Sequence, residues 1–215
     1  MRGIHFTRIV AGLICFIQLL TLTGCTQDAE DVRMAFDECD QAMLDGDSQR
    51  VIELLSPDML RQFDYLLQDA LDATRDKIKQ MRPSQMAMIL IMRNRCTRQQ
   101  LEEMDGAGWV IYAVEQGWMK SRNDIASLSI GKVTVRGNTA VGEIWVNGEK
   151  TKLNYAFVRD GEQWKVDMTE AYKAWDEAVE RHARLVKTSV ERLLRNSESV
   201  QSGKKVPKRI WDPMR

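Results

Sequence analysis

Residues 127–168 read SLSIGKVTVRGNTAVGEIWVNGEKTKLNYAFVRDGEQWKVDM. Apolar and polar residues alternate along this stretch with a period of two, which is typical of half-buried β-strands. Three glycine-containing pairs typical of tight hairpin turns interrupt it, at Gly137-Asn138, Asn147-Gly148 and Asp160-Gly161. The stretch therefore predicts an antiparallel meander of four strands. Their expected bounds are 127–135, 139–146, 150–159 and 163–168.

The chain before this stretch predicts helices. Val32, Phe36, Cys39 and Met43 are spaced by three or four residues, as on one face of an amphipathic helix that Gly46 ends. Further helices are predicted at 51–55, 56–82, 84–92, 97–106 and 109–115. One face of the sheet has to be covered, and these helices are the available cover, so the fold class is α+β.

The segment after the sheet predicts one long C-terminal helix. Apolar residues alternate at spacings of three and four from Tyr172 through Trp175 to Leu193, which indicates about 26 residues from Asp167 onward. This spacing also suits a partner helix, so a homodimer through the last helix is one hypothesis. The tail 197–215 is rich in Ser, Lys and Pro and is predicted to be basic and disordered.

The N-terminus has the pattern of an export signal. Arg2 and Arg8 precede an apolar run at 9–22 that is shorter than the roughly 20 residues a membrane-spanning helix needs. The run ends in Leu22-Thr23-Gly24-Cys25, which resembles the lipobox of bacterial lipoproteins.

The lipobox resemblance implies how the chain is processed and where it lies. Residues 1–24 would be a cleaved signal peptide, Cys25 would carry diacylglycerol and an N-acyl chain such as palmitate, and 25–30 would be a short linker. The protein would then be held on a membrane of the cell envelope through lipid on Cys25. Thr26 in place of an aspartate implies the periplasmic face of the outer membrane if the host has two membranes.

Two stretches resemble the NTF2-like superfamily, in particular its uncharacterised bacterial lipoprotein branch. The first is Ala42-Met43-Leu44-Asp45-Gly46-Asp47 with Val51–Pro57, and the second runs from Gly137 to Val141 and from Ala156 to Asp167. The resemblance covers roughly residues 30–170 and implies a cone of helices and curved sheet, a fold that hosts isomerases, dehydratases and plain binding modules. With the long last helix, the predicted domain covers 31–196. The long last helix departs from the compact family pattern.

The four cysteines leave two in the predicted domain, Cys39 and Cys96, since Cys15 lies in the signal peptide and Cys25 is the predicted anchor. An oxidising envelope compartment would allow a disulfide between them, worth about 4 kcal/mol on the chain-entropy model. Two buried thiols on helices are the alternative. The sequence leaves both open.

The residue types limit the chemistry. The predicted mature chain has a single histidine, His182, on the apolar stripe of the last helix, and it has no Cys-x-x-Cys pair. We therefore expect no catalytic triad, no metal and no cofactor. A desolvated carboxylate acting as a general base is an alternative, and Asp167 is its best candidate. However, Asp167-Met168-Thr169-Glu170 also has the form of a helix capping box, which we favour.

Aromatic residues give the remaining candidates for a site. With Asp167, the candidate pocket lining is Trp109, Tyr112, Trp145, Tyr155 and Trp164. The alternative is that these residues are simply core.

The sequence favours a non-catalytic binding or scaffolding domain for a small ligand or an envelope protein. The alternative function is an isomerase- or dehydratase-type enzyme. The tail basic residues Lys204, Lys205, Lys208 and Arg209 are either solvated or in contact with anionic lipid. Outside the cytoplasm, nucleic acid is not an expected partner.

Overall fold

The computed structural model describes residues 27–119 and 128–215. The predicted signal peptide and its lipidated Cys25 lie outside the described residues. Within those two ranges, no helix is both long and apolar enough to cross a membrane.

Seven helices precede the sheet in the described chain. They are α1 (residues 27–45), α2 (Ser48–Leu54), α3 (Pro57–Asp72), α4 (Arg75–Ile78), α5 (Pro83–Arg95), α6 (Arg98–Glu102) and α7 (Gly106–Glu115). Serine, threonine or aspartate side chains cap several of them; Ser56, for example, accepts the Met59 N–H at 3.1 Å. Because α1 already includes residues 27–30, the predicted linker at 25–30 is wrong for that part.

The helix predicted over 56–82 is also wrong, because it is divided in two. α3 ends at Asp72, and the Thr74 hydroxyl accepts the Lys77 N–H at 3.4 Å as the N-cap of α4. Thr74 has extended backbone angles, φ −69° and ψ 159°, so it leaves the helix instead of continuing its stripe.

The four-stranded meander is confirmed. Its strands are β1 (Leu128–Arg136), β2 (Thr139–Val146), β3 (Glu149–Asp160) and β4 (Gln163–Asp167), paired antiparallel in chain order. In the β2–β3 turn, Asn147 and Gly148 have φ of 53° and 78°, the left-handed conformation that these residue types tolerate best.

The helices cover the inward face of this sheet, so the α+β class is confirmed. Ile144, Phe157 and Val166 point inward and are almost completely buried, together with Phe63 of α3 and Trp109 of α7. A short parallel bridge between Leu55 and Val166 joins the end of α2 to β4, and the Ser56 N–H donates to the Val166 carbonyl at 2.9 Å.

The single long C-terminal helix is a wrong prediction. The chain forms α8 (Thr169–Leu185) and α9 (Val190–Gln201). Lys187 takes a positive φ of 51°, and the Thr188 N–H donates back to the Ala183 carbonyl at 2.9 Å, which closes α8. Ser189 then caps α9. The apolar spacing continues across the turn, which is why the stripe did not indicate the break.

The disordered tail is wrong as well, and with it the domain end at residue 196. α9 runs to Gln201, a 3₁₀ turn covers Lys208–Trp211, and the Trp211 side chain has 0% exposure. The buried Arg93 guanidinium donates to the carbonyl oxygens of Ala70 at 2.6 Å and Ile210 at 3.2 Å. It thereby joins the C-terminal end of α3 to the tail.

Candidate functional site

An open cleft of about 1060 Å³ lies between α1, α5, α7, the inward face of the sheet and the segment that follows α9. α1 contributes Phe36, Cys39, Asp40 and Met43, which its helical period places on one face. α5 contributes a second face by the same period, with Met88 and Ile91 followed by Asn94 and Arg95.

Most of the lining is apolar and rich in methionine and aromatic rings. Met43, Met88, Met119 and Met168 all face the cleft. The aromatic rings contact one another: Phe36 lies edge-on to Tyr155 at 5.7 Å between ring centroids, and Trp109 lies 6.0 Å from Trp118. The described lining therefore combines adaptable thioether side chains with rigid rings.

A polar wall stands where α5 and α9 meet, built around Glu198. The Arg95 guanidinium donates to both oxygens of the Glu198 carboxylate, from Nε to Oε1 at 2.8 Å and from Nη2 to Oε2 at 2.7 Å. Asn94 donates to Oε1 at 2.7 Å. Glu198 is only 3% exposed, so these donors replace the water that its charge has lost. On the other side, the Arg95 guanidinium lies 5.1 Å from the Trp118 ring centroid.

The chain after α9 completes the rim. Ser202 donates from its hydroxyl to the Glu198 carbonyl at 2.7 Å, and the Lys204 N–H donates to the Ser202 hydroxyl at 3.4 Å. Ser202 and Lys204 line the cleft together with Gln201, the last residue of α9. The segment predicted to be disordered is thus part of the candidate site.

Two tyrosines face the cleft from β3 and α8. Burial raises the pKa of Tyr155 to about 12 and also raises the pKa of Tyr172, with smaller contributions from nearby ionisable groups. A phenol is neutral at ordinary pH even without this shift, so each hydroxyl can donate and accept hydrogen bonds there.

The predicted lining residues are only partly brought together. Trp109 and Tyr155 line the cleft. Tyr112 does not line it, and instead packs edge-on behind Trp118 at 5.3 Å. Trp164 does not line it either, because it is buried with its ring 4.7 Å from the Arg159 guanidinium.

Trp145 lies on the outward face of the sheet. It alternates with the inward Ile144 and is 36% exposed. Its indole covers Gly131, where an added Cβ would lie 2.3 Å from the indole Nε1. The alternation of side chains along β2 could have excluded Trp145 from the predicted pocket lining, since its neighbour Ile144 points into the core.

Asp167 does not line the cleft, which removes the basis for a general base at this position. Its Oδ1 accepts the Thr169 N–H at 2.9 Å, and its Oδ2 accepts from the Ser56 hydroxyl at 3.2 Å. The carboxylate therefore accepts a hydrogen bond from the first backbone N–H of α8, although the N-cap position of that helix is Met168. Glu170 pairs with Lys173 at 2.6 Å instead of closing a capping box.

Of the two cysteines and the histidine in the described chain, only Cys39 lines the cleft. Cys39 and Cys96 are buried thiols that are not joined to each other, and burial raises the pKa of Cys96 to about 11. His182 is exposed on α8. Among the described residues, no three His, Cys, Asp or Glu side chains cluster as a metal site would require.

No protein-family model, curated protein or solved structure matches this chain. The NTF2-like and lipoprotein assignments stay predictions from the sequence motifs. The function has to be argued from the cleft itself.

Proposed function

We propose that this protein is a lipid-anchored binding protein of the cell envelope with an NTF2-like domain. Its cleft takes a small, flexible and mainly apolar ligand and does not catalyse a reaction. The observation that carries the proposal is the methionine- and aromatic-lined cleft of about 1060 Å³.

The size and lining of the cleft support this ligand class. Small-molecule pockets are typically about 300–1000 Å³ and mainly apolar, with a few fixed polar groups. Methionine side chains repack around ligands of different shape because they are unbranched and polarisable. A lining with Met43, Met88, Met119 and Met168 therefore suits a flexible chain better than a flat, rigid ring.

The polar groups support binding over catalysis. Arg95 and Asn94 are already engaged with Glu198. The two tyrosines hold their protons at ordinary pH, as any phenol with a pKa of about 10 or above does, and burial raises the pKa of both further. Asp167 serves the start of α8. Asn94, Arg95 and the two tyrosine hydroxyls can orient a ligand at the cleft, which the Asp40 carboxylate also lines.

The ligand class can be tested with N-phenyl-1-naphthylamine, a neutral apolar dye that becomes fluorescent in apolar sites. We expect residues 26–215 to bind it saturably at one site. Ile91→Trp should fill part of the cleft and weaken binding about tenfold, or 1.4 kcal/mol. The matched control is Ile111→Trp, since Ile111 is a partly buried isoleucine on α7 that does not line the cleft. Equal binding by both variants would refute the cleft as the binding site.

The anchor is tested separately. Mass spectrometry of the mature N-terminus should find lipid on Cys25 in the wild-type chain, and Cys25→Ser should block both the lipidation and the cleavage before residue 25. The proposal of an anchor fails if the wild-type chain carries an unmodified N-terminus at another residue.

A further inference from the structure

The start of α1 is fixed to one end of the sheet. The Asp28 carboxylate pairs with the Arg159 guanidinium at the end of β3. The Arg159 N–H donates to the Asn138 carbonyl in the β1–β2 turn at 2.8 Å, and Arg159 is paired with Trp164 of β4. The turns at 136–139 and 160–163 therefore lie beside the start of α1. We call this end of the sheet the proximal end.

The proposed lipid site is close to the proximal end. Cys25 precedes Asp28 by three residues, which span at most about 11 Å even when fully extended. We propose that the proximal end faces the membrane surface and that the cleft lies on the side of the domain away from it. This inference rests on the proposed anchor at Cys25.

The position of the cleft along α1 sets its expected distance from the membrane surface. Phe36, Asp40 and Met43 follow Asp28 by 8, 12 and 15 residues in one helix, or roughly 12, 18 and 22 Å at 1.5 Å per residue. On the sheet, the cleft residue Leu128 pairs with Val146, at the opposite end of β1 from the turn at 136–139. The lining also includes Tyr155 in the middle of β3 and Val166 of β4, so the cleft extends from the middle of the domain toward the end opposite the proximal end.

Charge opposes the alternative in which α1 lies flat on the bilayer. The outward side of α1 carries exposed acidic residues, Glu30, Asp37, Glu38 and Asp45. Bacterial and other biological membranes commonly present anionic headgroups, which attract basic segments and repel acidic ones. α1 is therefore expected to rise from the surface. The exposed basic residues Lys204, Lys205, Lys208 and Arg209 act in the opposite sense on the cleft side, so it is the short tether at Cys25 that sets the orientation of the domain.

This orientation of the domain determines the route by which a ligand can enter the cleft. A cleft roughly 12–22 Å along α1 from the anchor end does not open into the acyl layer beside its own lipid. The ligand would reach it from the aqueous compartment or from a carrier, and would not slide in laterally from the same leaflet.

Fluorescence transfer to the bilayer tests this orientation on the full lipidated chain. A donor is attached at Glu162→Cys in the β3–β4 turn or at Glu149→Cys at the far end of β3. The two positions are a matched pair of exposed glutamates, and the native Cys39 and Cys96 are buried. β3 has 12 residues and spans roughly 36 Å at 3.3 Å per residue. The acceptor is a rhodamine lipid in vesicles of phosphatidylethanolamine and phosphatidylglycerol. Energy transfer from a donor at position 162 should exceed energy transfer from a donor at position 149 several-fold.

A long glycine-serine linker inserted after Thr26 should abolish the difference, because the tether would no longer set the height. Equal transfer from both positions in the native chain, stronger transfer from 149, or a difference that survives the linker would overturn the orientation. Vesicle flotation is measured first. A chain that does not float refutes the anchor, whereas one that floats with equal transfer refutes only the orientation.

Discussion

Glu198→Ala is the substitution from which we expect the largest specific effect on the cleft wall. It removes a carboxylate that is 3% exposed and that accepts from Arg95 twice and from Asn94 once. The Arg95 side chain is 14% exposed, so its charge would be left with little access to water. The cost therefore comes mainly from the stranded guanidinium and less from the lost hydrogen bonds.

Breaking a buried ion pair by removing one partner typically costs about 3–5 kcal/mol. The cation–π contact of Arg95 with Trp118 persists, so we expect the lower end, about 3 kcal/mol. For a domain of this size, each kcal/mol lowers the melting temperature by about 2–4 °C, which predicts a fall of roughly 6–12 °C.

Urea titration and thermal melting followed by circular dichroism measure the effect. The control is Glu180→Ala, since Glu180 pairs with Arg184 at 3.6 Å on the exposed side of α8 and should contribute less than about 1 kcal/mol. Replacing both members of the buried pair, as Arg95→Met with Glu198→Leu, should recover much of the lost stability because no charge is stranded.

The reasoning is refuted if Glu198→Ala costs no more than Glu180→Ala. It is also refuted if the double variant is less stable than Glu198→Ala alone. In that case the two helices would be held together by something other than the ion pair.

Two further predictions concern the tail and the alkaline range. Trp211→Ala should lower the free energy of unfolding in urea by about 3–5 kcal/mol, because it empties a fully buried site; an unchanged midpoint would mean that the tail does not stabilise the domain. Between pH 10 and about 12 the free energy of unfolding should fall, because the folded chain holds the Tyr155 proton to a pKa of about 12 while the unfolded chain releases it near 10. Tyr155→Phe should flatten that decline, and identical slopes in the two proteins would contradict a buried phenol.

The sheet could be predicted because its signals are local. Gly137 and Gly148 occupy turn positions with φ of 59° and 78°, which few other residues adopt, and the alternation between turns is short. The predicted strand ends accordingly lie within one residue of the observed ones.

The helix breaks could not be predicted from periodicity alone. Thr74 and Ser189 cap the second helix of each pair through a side-chain oxygen, and no glycine or proline marks either break. The tail was missed for another reason. Its basic composition outweighs Val206 and Trp211, and the turn that contains Trp211 is held by Arg93 of α5, distant in sequence, through the Ile210 carbonyl.

The ion pair in the cleft wall could not be predicted from the sequence, because Arg95 and Glu198 are separated by 103 positions. Their pairing also bears on function. An apolar pair of similar volume would hold α5 to α9 as well or better, since burying charge costs desolvation. Stability alone thus gives no reason for a charged pair here. Its location at the cleft, with Arg95 against the Trp118 ring, gives one: it keeps a fixed polar wall beside the methionine and aromatic lining, against which a ligand can be oriented.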